Sequence, residues 1–165
     1  SELGWTEVCE NTLGEFPLRI LLGNSPDAIL AAEGWDGDRF RVWEHEDGRL
    51  GLAWMSVWDS DADARQFADE LIYHEGRRFS GEESRARRTN VGERLEIAVG
   101  GPDDMSWATI EGDAVVVTRG FPAGTVGVVE QAIRGLSTTQ VKTWADIRAA
   151  AQAEKEADAV MAPAR

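Results

Sequence analysis

A chain of 165 residues, 42% hydrophobic and 28% charged, is long enough to bury a core and short enough for one domain to be the default expectation. Thirty acidic residues against seventeen basic give a net charge of -13, which repels phosphate backbones and anionic lipid surfaces and argues against nucleic acid as a partner. Cys9 is the only cysteine, so neither an intramolecular disulfide nor a thiolate metal cluster can form within one chain, and no apolar run approaches the roughly 20 residues of a membrane span.

In chain order, the strand-like "WTEVCENT" is followed by "LGEFPLRILLG", in which Leu13, Phe16, Leu18, Ile20, Leu21 and Leu22 recur with mixed spacing, consistent with a short helix ending at Gly23. Ser25 before Pro26 suits an N-cap followed by a first helical residue, opening a second helix that Gly34 stops. "RFRVWEHE", a turn at Asp47-Gly48 and "RLGLAWMSVW" read as a hairpin. Its second strand is apolar on both faces, which places Leu52, Trp54, Met55 and Val57 in the middle of a sheet covered on both sides. A helix from about residue 59 to Gly76 comes next. Residues 77–92 are polar and without period, and are expected to be a mobile loop in which Arg77, Arg78, Arg85, Arg87 and Arg88 balance nearby carboxylates, with an anion or partner contact as the alternative. "RLEIAVGG", "SWATI" and "AVVVTRGF" then read as strands, with a turn at Gly112-Asp113 and a helix from about Ala123 to Leu136. This second strand-turn-strand-helix unit echoes the first and raises the question of an internal duplication. The Ala-rich end, 137–165, is expected to be a helix with a frayed terminus.

The sharpest chemical pattern is "WDSDADARQFADE". Asp59, Asp61 and Asp63 are two apart and Glu70 is twelfth from Asp59, as in a calcium loop. The sixth position of such a loop needs Gly, however, and here it is Ala64. Ala64, Phe67, Ala68, Leu71 and Ile72 also keep helical spacing straight through the would-be loop. Ser60 with Asp63 makes a capping box and the acids suit the positive end of a helix dipole, so a helix start uses these residues better than a metal site. His45 and His74 share no metal-ligand spacing, Cys9 is expected to be a buried structural residue, and "GFPAGTVG" lacks the Lys-Ser/Thr ending of a P-loop. No cofactor is implied.

"GWDGDR" is the more suggestive stretch. Read as a loop leading into the first hairpin strand, it brings Trp35, Asp38 and Arg39 to the end of the hairpin where Trp58 and Asp59 finish the second strand. Aromatic rings beside paired charges are enriched at contact sites, and a turn braced by an Asp-Arg pair would gather the same residues. Exposure separates the two readings.

Together "LGEFPLRILL", "AAEGWDGDRFRVW" and "VWDSDADARQF" resemble a group of bacterial exported proteins of unknown activity. In that group an "LGE" helix, a "GWGGDR" loop and a "WDT...DA..F" helix start occur in this order. The resemblance covers about Thr12 to Phe67, and Asp36 stands where the group's loop has its second Gly. It implies a bacterial exported protein, at the cell surface or in the periplasm, of which 1–165 would be a single domain of a longer chain. It carries over no catalytic residue.

The order of elements predicts an α+β domain with a largely antiparallel sheet of about five strands and helices packed against it. The leading functional expectation is a non-catalytic binding or interaction module for a protein or small-molecule ligand, with Trp35, Asp38, Arg39, Trp58 and Asp59 as the binding residues. Two others stand beside it: a hydrolase using Asp38 or Asp59 as acid or base, and a structural accessory domain.

Overall fold

The computed structural model describes residues 4–101 and 104–140. Seven strands, β1 (Trp5–Asn11), β2 (Trp35–His45), β3 (Leu50–Trp58), β4 (Arg87–Val91), β5 (Arg94–Gly100), β6 (Met105–Glu111) and β7 (Ala114–Arg119), form one sheet in the order β1-β2-β3-β7-β6-β5-β4, antiparallel throughout. Helices α1 (Glu15–Leu21) and α2 (Pro26–Ala32) connect β1 to β2, α3 (Asp61–Gly76) follows β3, and α4 (Val126–Gln140) follows β7. The class is therefore α+β, with seven strands where about five are expected.

The β2–β3 hairpin and the β4–β7 meander meet at the β3–β7 pair, which explains why β3 is apolar on both faces. Trp54 and Trp58 face a core built with Leu18, Leu22, Phe67, Leu71 and Ile97 under α1 to α3. Ala53 and Met55 face the opposite side, where Val116 and Ile133 of α4 cover them. Leu52 and Val57 are only half-buried. A third cluster, Trp5, Phe121 and Val126, closes one end of the α4 face.

The helix starts follow their capping residues. Ser25 Oγ accepts from the Ala28 amide with Pro26 as the first helical residue. Ser60 Oγ accepts from the Asp63 amide at 3.3 Å and donates its own proton to the Asp63 carboxylate at 2.6 Å. Ala64, Phe67, Ala68, Leu71 and Ile72 are buried on the inner side of α3. The acid-rich stretch is thus a helix start.

Three expectations need correction. The segment 77–92 holds a single helical turn at Gly81–Ser84 and the edge strand β4 rather than one long loop. "GWDGDR" is not a loop: β2 begins at Trp35, and one extra residue, Asp36, is bulged between the pairs Trp35–Trp58 and Gly37–Val57. Cys9 is an exposed free thiol on an edge strand, not a buried residue. The two strand-turn-strand-helix units also place their helices on opposite faces. An axis relating the antiparallel neighbours β3 and β7 would keep both helices on one face, so the echo is one of pattern. The expected helix over 137–165 lies outside the described residues from 141 onward; α4 itself runs through Gln140.

Candidate functional site

The corner predicted from the sequence is only partly assembled. Trp35 and Trp58 are paired across the hairpin, and the Asp59 amide donates to the Gly34 carbonyl at 2.7 Å. Trp58 is core: its ring is 1% exposed, stacks on Phe67 at 4.4 Å, and its indole N–H donates to Ser56 Oγ. Trp35 is half-buried against the same core, and Asp59 is exposed.

Asp38 and Arg39 part company because they are consecutive in a strand and point to opposite faces. Asp38 is buried on the helical face, where its carboxylate accepts the backbone amides of Leu13 (2.7 Å) and Gly14 (2.8 Å) and the indole N–H of Trp54 (3.0 Å). It ties the start of α1 to the centre of the sheet. Arg39 lies on the other face with Arg41, and both bind Glu10, with Arg41 also 3.2 Å from Glu7. The Arg41 guanidinium, first by hydrogen bonding and with Arg39 assisting, holds the Glu10 carboxyl below its ordinary value. The predicted Asp38–Arg39 brace is therefore replaced by two separate structural ties.

The surfaces that the sequence reading missed lie elsewhere. On α1, Leu18 and Leu22 are fully buried, whereas Phe16 and Ile20 are 71% and 60% exposed. The mixed spacing of "LGEFPLRILL" is thus two interleaved i, i+4 pairs, one turned inward and one outward. Leu21, Leu30 of α2 and Tyr73 of α3 are exposed as well. Beside α1 a cleft of about 230 Å³ is lined only by apolar side chains: Leu13, Leu21, Phe40, Leu52 and Trp54.

A second cleft, about 420 Å³, lies between α3 and β4, with Ile72, Tyr73, Phe79 and Ala86 among its walls and Arg77 and Arg88 at its edge. On the opposite face, α4 and β5–β6 enclose a polar cleft of about 360 Å³. Its buried Glu130 accepts from the Thr109 hydroxyl and from Arg94 at 2.7 Å. That carboxylate is neutralised where it stands, as a buried charge requires. Among the described residues, no three His, Cys, Asp or Glu side chains are grouped so as to hold a metal ion, and no helix is long and apolar enough to cross a membrane.

Residues 2–130 match the model of a domain family of unknown function, DUF8575. The chain belongs to this family. No curated protein and no solved structure matches it. The DUF8575 match takes in all seven strands, the outward pair of α1 and the two helical-face clefts described above, and ends inside α4 at Glu130.

Proposed function

We propose that this DUF8575 domain is a non-catalytic interaction module of an exported bacterial protein, and that it docks a protein partner on the outer surface of its helical layer. The observation that carries this reading is the outward pair Phe16 and Ile20 beside the wholly apolar cleft. Exposing such side chains together gains nothing for a domain that works alone, and apolar surface of this kind marks contact sites. Its spread over α1, α2 and α3 suits a broad protein surface better than a small molecule, which is usually enclosed in a deep pocket. Export is supported by the three ordered motifs between Thr12 and Phe67.

The hydrolase alternative has less support. Asp38 spends its lone pairs on three structural N–H donors, and Asp59 is exposed, outside every cleft described above. A purely structural role leaves the outward apolar pair of α1 unaccounted for.

The test is a photo-crosslinking residue placed at Phe16 in the full-length protein, produced in its own cells. A discrete crosslinked protein is expected, and adding Ile20→Glu should abolish it while leaving the urea midpoint of the purified domain unchanged. No adduct from position 16, or an adduct indifferent to Ile20→Glu, removes the reading. A crosslink at an exposed control position in the β2–β3 turn, Glu46, should be absent.

A further inference from the structure

Among the described residues the sheet has two outer edges, and only one of them is interrupted. In β1 the register breaks between Glu7 and Cys9, so that Val8 is an extra, bulged residue; bulges of this kind discourage pairing at an edge. β4 pairs with β5 residue for residue without a break, from Arg87–Ala98 to Val91–Arg94, and all five of its residues are exposed. Every second residue of such an edge aims its N–H and C=O away from the sheet, ready to pair with another strand.

What lies beside this edge defines what could pair with it. Five arginines fall between residues 77 and 88 of a chain whose net charge is -13. Arg88 is matched by Asp69 at 2.6 Å, Arg85 by Glu82, and Arg78 by Glu75 and Asp104. Arg87 binds only the Gly100 carbonyl, and Arg77 makes no ion pair among the described residues. Among the described residues, two cationic groups near the edge therefore lack a carboxylate, in a molecule with carboxylates to spare. The two lie on different sides: Arg87 shares a sheet face with Ala98, the face α4 covers, whereas Arg77 borders the cleft between α3 and β4. Apolar walls from Ile72, Tyr73, Phe79 and Ala86 lie in that same cleft.

We infer that β4 accepts an extended acidic segment of a partner protein as an eighth strand of the sheet. Backbone pairing supplies affinity, and alternate side chains supply selectivity. Residues on the helical side enter the α3–β4 cleft, an apolar or aromatic one on its walls and an acidic one at Arg77. An acidic residue on the opposite side meets Arg87. This surface is distinct from the outward pair of α1 and does not depend on it.

The probe is a fluorescein-labelled nine-residue peptide, Glu-Glu-Val-Glu-Phe-Glu-Val-Glu-Glu, which carries Glu on both faces of an extended strand and Phe with Val on one of them, followed by fluorescence anisotropy against the purified domain. Saturable binding that weakens with salt is expected, with about tenfold loss in Arg77→Glu and in Arg87→Glu, the scale of a well-placed interface charge. Two further peptides, N-methylated at alternate positions in opposite phases, keep every side chain and differ only in backbone donors. One phase should bind as the parent does and the other should lose at least about tenfold. Binding equally by both phases would overturn strand addition. Equal binding of a Lys-for-Glu peptide would overturn the acidic partner, as would a single-stranded oligonucleotide that outcompetes the Glu peptide. No binding of the Glu peptide by a domain with its wild-type melting transition would also overturn the inference. Binding unchanged by Phe16→Glu would keep this result separate from that at α1.

Discussion

Asp38 and Asp47 show how neighbours decide what a carboxylate does. Asp38 holds three N–H donors from two parts of the chain, so Asp38→Ala leaves buried donors unsatisfied and should cost about 3 kcal/mol, read as a fall in the urea midpoint. Asp38→Asn keeps one acceptor oxygen and should cost less. Equal midpoints for wild type and Asp38→Ala would remove the structural role. Asp47 occupies the β2–β3 turn, where the Arg49 amide at 3.1 Å, then His45 and the Arg49 side chain, lower its carboxyl to about 2. The stabilising contribution of a depressed carboxylate is fully present above its unfolded value and is lost as pH falls through the folded one. For Asp47 that window runs from 3.8 down to about 2. Its side-chain NMR shift should titrate near the lower figure in the folded protein, and a midpoint near 3.8 would contradict the turn geometry. The Asp47-Gly48 turn was legible because local chemistry fixes it, and Gly48 indeed takes φ +85°. The Asp38 site was not, because its donors sit 24 and 25 residues away and on an indole. The expected Asp38–Arg39 pair failed once β2 began at Trp35, since strand alternation then separates consecutive side chains.

At the scale of elements, the signals that survived are those enforced by burial. The start of α3 rests on Ser60, and Ser60→Ala should cost about 1 kcal/mol by loss of the cap, measurable as a lower melting temperature with an unchanged fold. If added calcium raised that temperature in the wild type and not in the variant, a cation would be binding at the helix start. α3 was readable because five apolar residues keep one side of it. β4 was unreadable for the opposite reason. Both of its faces are exposed, so burial imposes no alternation on "RRTNV", and only pairing with β5 marks it as a strand. α1 lies between these cases. Its two apolar pairs produce a confused pattern by periodicity, and that confusion is the trace of an outward surface.

Across the whole molecule, stability converges on β3, where the hairpin and the meander join and both faces of the sheet are covered. Trp54 is the residue through which this join reaches the helices. Its ring meets Phe67 of α3 edge-on at 5.4 Å, and its N–H binds the Asp38 carboxylate that also holds the start of α1. Opposite it across the β3–β7 pair stands Val117. Trp54→Ala therefore removes packing and one member of a hydrogen-bonded network together, and should cost roughly 3 to 5 kcal/mol. Trp54→Phe separates the two contributions, since it keeps most of the ring and deletes only the donor; it should cost about 1 kcal/mol. Because Trp54 and Asp38 share that bond, the double variant Trp54→Phe/Asp38→Ala should lose less than the sum of the single losses. Strict additivity in urea unfolding would mean that the indole and the carboxylate act independently, with the Asp38 carboxylate holding the start of α1 through the Leu13 and Gly14 amides alone.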